Sequence, residues 1–161
     1  MEIRHTRPED LDEVMDIYKK ARAFMRTHDN PTQWSGGWPT REQIEYDIVH
    51  RQGFVCTKDG KIAGAMCFFV GNDPTYTIIE KGKWLSDAPY AVVHRIASSG
   101  EFKGTGTFMM NWAFEQFGNV RIDTHEDNYV MQNMLTKLGY SYCGIIHLDN
   151  GDPRMAYQKS K

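Results

Sequence analysis

His94-Arg95-Ile96-Ala97-Ser98-Ser99-Gly100-Glu101-Phe102-Lys103-Gly104-Thr105-Gly106-Thr107 is the stretch on which the reading of the whole chain turns. The run Tyr90 to Ser98 is aromatic, β-branched and small, and predicts a strand. Gly104 to Phe117 predicts a helix. Its residues Phe108, Met109, Met110, Trp112, Ala113 and Phe114 are apolar nearly all round, so the helix is expected to be well buried. Between the two lies a glycine-rich turn. Glycines let backbone come close to a ligand, and the first N–H groups of a helix point outward unpaired, which makes such a turn a site for phosphate or pyrophosphate. It is not a Walker loop, because no Gly-Lys-Ser/Thr follows, nor a dinucleotide fingerprint, because the third glycine is absent and the motif comes late. Taken alone, the stretch reads equally well as an ordinary glycine-rich helix start.

Working outward, Glu2 to Thr6 predicts a strand. A helix follows to about His28, opened by Pro8 and Glu9, with Leu11, Val14, Ile17, Tyr18, Ala21, Phe24 and Met25 on one apolar face. Asp29 to Pro39 is a loop holding Trp34 and Trp38. Thr40 and Gln43 form a capping box for a second helix. Phe54 to Thr57 and Ile62 to Val70 predict strands joined by Asp59-Gly60, a hairpin signal. Gly71 to Pro89 is irregular, with a short strand expected at Tyr76 to Ile79. After the central helix come a strand at Val120 to Thr124, a helix from Asn128 stopped by Gly139, and a hairpin of Tyr140 to Leu148 with Arg154 to Gln158. This order predicts a mixed α/β chain of the α+β type. The sheet should have six to seven mostly antiparallel strands, flanked by about four helices, in a single domain over 1–161.

The chain has 161 residues, 19 basic and 21 acidic, for a formal charge of −2. That balance argues against a nucleic-acid partner, which needs a basic patch. Cys56, Cys67 and Cys143 are odd in number and form no Cys-x-x-Cys pair, so neither a disulfide framework nor a metal site is expected. No signal region opens the sequence and no apolar run reaches membrane-span length, which predicts a soluble, cytoplasmic protein with no membrane partner.

Beyond the glycine turn, the chain resembles the GNAT superfamily of N-acetyltransferases. The family's Gln/Arg-x-x-Gly-x-Gly/Ala loop lies between its fourth strand and third helix. Lys103-x-x-Gly106-x-Phe108 is similar to it, Glu101-Phe102 resembles the acidic-aromatic pair before it, and Asn128-x-x-Met131 through Leu138-Gly139-Tyr140 resembles the asparagine-led helix ending in Leu-Gly-Phe/Tyr. The element order matches over essentially the whole chain. The resemblance implies an acetyl-CoA-dependent N-acetyltransferase acting directly on a primary amine of a small molecule or peptide. A non-catalytic acyl-CoA-binding or sensing module is the alternative. Dimers are common in the family, and the C-terminal hairpin offers an edge for a homodimer. Three departures stand out. Lys103 replaces Arg or Gln, Phe108 replaces Gly/Ala and is expected to narrow the loop, and Leu135 stands where many members carry a tyrosine that protonates the departing thiolate.

The resemblance assigns the pyrophosphate to Lys103, Gly104, Thr105, Gly106 and Thr107. It assigns the pantetheine arm to Ile96, Ala97 and Ser98 on the exposed edge of the fourth strand, and to Asn128, which is equally a helix cap. A strand-end N–H near Ala97 or Ser98 would polarise the carbonyl. His94 is the favoured base, expected by strand alternation to share a face with Ile96 and Ser98 while Arg95 points to the other. Imidazole titrates in the physiological range; a loop-anchoring histidine is the bland alternative. Glu101 is a lesser alternative base. Asp123 and His125, in the polar run ending the fifth strand, are further proton-transfer candidates, as are Tyr140 and Cys143, both more readily read as core. Trp34, Trp38, Tyr76 and Trp84 fall in the two irregular segments that often wall the acceptor site in this family, where aromatics suit an apolar or cationic group; they read as well as core plugs.

Overall fold

Asp59 and Gly60 take φ values of 52° and 75°, the pair of positive angles that a tight two-residue hairpin turn requires. They join β2 (Gly53–Lys58) to β3 (Lys61–Val70), and β1 (Glu2–His5), β4 (Ala91–Ser98), β5 (Asn119–Thr124), β6 (Ser141–His147) and β7 (Pro153–Ser160) complete the strands. The computed structural model describes every residue from Met1 to Lys161. It forms one seven-stranded sheet in the order β1-β2-β3-β4-β5-β7-β6. Every neighbouring pair is antiparallel except β4 and β5. This is the mixed, mostly antiparallel sheet that the sequence predicts.

Four helices cover it: α1 (Leu11–Thr27), α2 (Arg41–Val49), α3 (Thr105–Gln116) and α4 (Tyr129–Lys137). The Thr40 hydroxyl caps α2 by accepting from the Gln43 N–H at 3.2 Å. Asn128 caps α4 by accepting from the Met131 N–H at 3.0 Å, and Gly139 ends it at φ 89°. Alternation along the strands feeds three apolar clusters, the smallest formed by Tyr76, Tyr90, Val92, Ile146 and Ala156. Val55, Ala65 and Ala97 meet Val14, Ile17, Tyr18 and Ile44 of α1 and α2. Cys56, Met66, Val93 and Ile96 meet Met109, Met110, Ala113 and Leu135 of α3 and α4. Each such large side chain contributes about 1.5–3 kcal/mol by leaving water. Gly64 lets α3 sit directly on the sheet, since an added Cβ would lie 2.9 Å from the Ala97 carbonyl and 2.7 Å from Met109 Cε.

Three local expectations are corrected. Tyr76 to Ile79 is no strand. Pro74–Tyr76 is a turn of 3₁₀ helix started by Asp73, whose carboxylate accepts from the Thr75 N–H at 2.8 Å, and the segment joins the backbone ladder of the sheet only where Glu80 bridges to Ile145. That bridge also occupies the middle of the outer edge of the C-terminal hairpin, blunting it. The central helix is buried on one side only: Met109, Met110 and Ala113 are inaccessible, whereas Phe108 is 36% exposed.

The third correction concerns β4. The register to β3 runs Ala65↔Ala97 and then Cys67↔His94, so two residues of β4 oppose one of β3. The extra residue is Arg95, at φ 52°. Strict alternation therefore fails. His94 and Arg95 lie toward the α1 and α2 side, and Ile96 returns to the α3 side. Left-handed backbone at a non-glycine residue costs about 1–3 kcal/mol. Arg95 Nη2 donates to both Asp47 carboxylate oxygens, at 2.8 and 2.9 Å, and the Tyr18 hydroxyl donates to the Arg95 carbonyl at 2.7 Å. Asp47 is 3% exposed, so this is a buried ion pair whose two halves depend on each other.

Two stability outcomes follow from these pairs. Asp47→Ala strands the buried guanidinium and is expected to cost about 3–5 kcal/mol, a Tm drop of roughly 6–20 °C in calorimetry; a drop of under about 2 °C overturns the role given to the pair. At the N-terminus, Arg4 donates twice to Asp10, at 2.7 and 3.0 Å. That hydrogen bond holds the Asp10 carboxyl below its ordinary range, against the opposing effect of burial. A depressed carboxyl stabilises the fold above its unfolded pKa of about 3.9 and loses that contribution as pH falls through the lower folded value. Asp10→Asn is therefore expected to lower stability by about 1–3 kcal/mol at neutral pH, and its Tm should fall less than wild type between about pH 5 and about pH 2.5. Parallel Tm curves would contradict this.

Candidate active site

β4 and β5 are paired only at Ala91↔Val120 and Val92↔Arg121. Beyond Val92 the two strands part, and the Arg95 bulge sits in the parted segment. Because Ser99 donates its N–H back to Ala63 at 2.8 Å, ladder alternation turns the Ser98 N–H away from β3, toward the opening. The opening holds two adjoining cavities, both bordered by Ile96, Asn128, Met131 and Met25.

The first cavity, about 390 Å³, runs between Ser98, Ser99, Gly100 and Gly106 on one side and Met131 and Met134 of α4 on the other, with Phe24 of α1 across its mouth. At its end Gly104 caps α3 in the left-handed conformation, φ 80°. The amide N–H groups of Lys103 to Thr107 take no partner within the chain. The Thr105 hydroxyl ties the turn by donating to the Phe102 carbonyl at 3.1 Å. Gly106 faces Met134, whose Sδ would be 3.1 Å from an added Cβ. Phe108 does not border the cavity, so it leaves the loop unnarrowed: it lies two residues, just over half a helical turn, past Gly106 and is partly exposed. Lys103 is exposed. A row of free N–H groups beside flat glycine backbone fits an anion such as a pyrophosphate.

The second cavity, about 620 Å³, contains the titratable groups. His94 Nε2 is 2.5 Å from Asp73 Oδ2, and its Nδ1 is 3.9 Å from Asp123 Oδ2. Burial pushes the Asp73 carboxyl up, but the hydrogen bonds from His94 and Thr75 outweigh it and hold the group below its ordinary range. An ionised carboxylate only accepts, so the close contact puts a proton on Nε2 and leaves the lone pair of neutral His94 on Nδ1. The Tyr76 hydroxyl donates to Asp123 at 2.6 Å. Burial first, and Asp123 next, push that hydroxyl well above its usual range, so it stays a donor. His94 and Asp123 are thus brought together, as the sequence suggested, and Tyr76 supports them from beneath, 1% exposed.

His125 lies outside this cavity. Its Nε2 pairs with the Thr32 hydroxyl at 3.0 Å, and its Nδ1 accepts from the Asp127 N–H at 3.0 Å, anchoring the turn into α4. Asn128 donates to Gln33 Oε1 at 2.9 Å besides capping α4. Trp34 and Trp38 wall the second cavity. Trp84 is elsewhere, stacked 4.1 Å over the buried Arg121 and donating to the Tyr76 carbonyl at 3.0 Å. Tyr140, Cys143 and Leu135 are all core, the last with no exposure. Two residues of the cavity were not visible to sequence reasoning. Asp73 is 21 residues from His94 and marked only by the Asp-Pro-Thr turn pattern, and Arg154 carries no motif.

A sequence model of the acetyltransferase (GNAT) family matches residues 12–140. Among solved structures, a GNAT family acetyltransferase from Streptococcus agalactiae 2603 is similar at 37% identity and a TM-score of 0.90, covering 99% of this chain and 95% of that one. A GNAT family acetyltransferase from Listeria monocytogenes 4b F2365 shares the fold at 24% identity and a TM-score of 0.72, over 99% and 94% of the two chains. One from Bacillus cereus ATCC 10987 does so at 18% identity and a TM-score of 0.63, over 99% and 96%. No functionally curated protein matches the sequence. The parted strands, the glycine turn between β4 and α3 and the asparagine-capped α4 thus coincide with a family match over most of the length, and the chain belongs to the GNAT acetyltransferase family.

Proposed function

We propose that residues 1–161 form a single acyl-CoA N-acyltransferase domain that transfers the acetyl group of acetyl-CoA directly to a primary amine of a small molecule or peptide. The observation that carries this reading is one continuous opening. It joins the free N–H groups of Lys103 to Thr107 to the His94 cluster along the unpaired edge of β4. In this reading the α3 turn holds the pyrophosphate, with Lys103 as a nearby cation. Ile96 and Ser98 hydrogen-bond the pantetheine arm, with Asn128 facing it and Ala97, whose backbone is paired to Ala65 of β3, lining it only, and the Ser98 N–H polarises the thioester carbonyl. The amine nitrogen then attacks that carbonyl, a C–N bond forms, the C–S bond breaks and the thiolate leaves with the electron pair. Before attack His94 takes one proton of the ammonium on Nδ1, between Asp73 and Asp123, whose carboxylates stabilise the imidazolium, and solvent takes the second nitrogen proton as the C–S bond breaks. Solvent protonates the thiolate, because Leu135 offers no acid. Trp34 and Trp38 border the acceptor. A cytoplasmic setting is supported by three free buried cysteines, which suit a reducing compartment, and no helix is long and apolar enough to cross a membrane.

Titration calorimetry with acetyl-CoA, with ATP and NAD as controls, followed by CoA release over an amine panel, tests the reading. Acetyl-CoA binding with no release from any amine would leave an acyl-CoA-binding module instead. His94→Ala is expected to lower kcat about 10²–10⁴-fold while the acetyl-CoA Kd stays put; an unchanged kcat and pH profile would remove His94 from the mechanism. Gly106→Val puts methyl groups into the cavity against Met134. It should weaken acetyl-CoA about tenfold or more, the loss of about 1.4 kcal/mol, and wild-type affinity would move the cofactor out of this cavity.

A further inference from the structure

Besides the exposed Asp149 and Asp152 at its rim, the second cavity contains one buried charge that neither the proposed chemistry nor an ion pair uses. Arg154, on β7, borders it and is only 7% exposed. Its Nη1 donates to the neighbouring Pro153 carbonyl at 2.9 Å and its Nη2 to the Gln33 carbonyl at 3.3 Å. No carboxylate lies within ion-pair distance of it, whereas Arg4, Arg41 and Arg95 each have one. A guanidinium carries five donors, and a buried one without an anion is costly. The carboxylates nearest the reaction centre are committed elsewhere: Asp73 to His94 and Thr75, Asp123 to Tyr76. Asp149 and Asp152 are exposed at the rim, in the turn before Arg154.

The register fixes where this cation lies. Asp123 of β5 opposes Ala156 of β7, and Arg154 is two residues further along the same face of β7. Diagonal neighbours of this kind sit about 7–8 Å apart. The face therefore presents His94 with two carboxylates at one point and an unneutralised planar cation one step away. An ammonium suits the first point and a carboxylate, taken by two parallel N–H donors, suits the second.

Resting on the acetyl-transfer reading, we infer that the acceptor is a free amino acid or a similar amino-carboxylate. Its amine is presented to His94 and its carboxylate is held by Arg154. This narrows the acceptor away from diamines and polyamines, which would leave Arg154 facing a second positive charge.

The test measures CoA release from acetyl-CoA with the twenty free amino acids, the matching amino-acid amides, putrescine and spermidine. At least one free amino acid is expected to be turned over with a kcat/KM roughly tenfold to hundredfold above its own amide, the discrimination given by one charge-assisted hydrogen-bonded pair. In Arg154→Gln that gap should close through a higher KM for the acid, with the acetyl-CoA Kd unchanged. Arg154→Lys, which keeps the charge but not the fork, should fall between. If Arg154→Gln does not fold, the lysine variant and the acid-to-amide ratio of the wild type decide the matter. Amides turned over as well as acids, or a preference for putrescine or spermidine, overturn the acceptor class while leaving acetyl transfer in place. Acetyl-CoA binding with no turnover of any amine in the panel overturns both.

Discussion

Arg95 stands in the left-handed region in the middle of a strand, and the whole working part of the molecule depends on what keeps it there. The bulge inserts one residue into β4 relative to β3. It places Arg95 on the face where His94 meets Asp73 and Tyr76, and sends Ile96 back to the opposite core. The local conformation is unfavourable for arginine, so it persists only because α1 and α2 hold it. Tyr18 supplies a donor to its carbonyl and Asp47 a carboxylate to its guanidinium. Two helices far from the glycine turn thereby set the geometry of the strand that leads into it.

The same bulge lies where β4 and β5 come apart. A parallel pair that stops after two ladder positions leaves strand backbone unpaired inside the molecule, and unpaired backbone groups seek partners. Here they face a cavity rather than the core, and α3 and α4 approach from either side with their own free or capped ends. Gly64 lets α3 come close enough to bring its N-terminal amides to the end of that cavity. The site is thus assembled from incomplete hydrogen bonding, a sheet that opens and a helix start without a cap side chain, held open by well-packed elements around it.

Charge is distributed with similar economy. The two acidic groups beside His94 are already held, Asp73 by His94 and Thr75 and Asp123 by Tyr76, so the imidazole is oriented within the chain, while Arg154 has no carboxylate partner. A preorganised set of this kind costs little reorganisation when charge develops. Leu135 of α4 is fully buried in the core, so this position serves packing and offers no hydroxyl to the cavity.

Much of this was legible in the linear chain. Apolar period, glycine and proline punctuation and the capping residues Thr40 and Asn128 are local signals. They predicted every strand and helix but the one expected at Tyr76 to Ile79, where Asp73, Pro74 and Thr75 wind the backbone instead. The glycine turn and His94 were visible as candidates for the same reason: backbone conformation and residue chemistry are written within a few positions. The bulge at Arg95 was not, because nothing adjacent to it requires it; its stabilising partners are 48 and 77 residues away. Asp73 and Arg154 were invisible as site residues for the same reason, one on an irregular segment and one on the last strand. The sequence by itself determined the elements, their order and the glycine turn between β4 and α3. Only the tertiary structure decided which charges meet in the cavity, since their meeting depends on sheet register and on helices that pack across the chain.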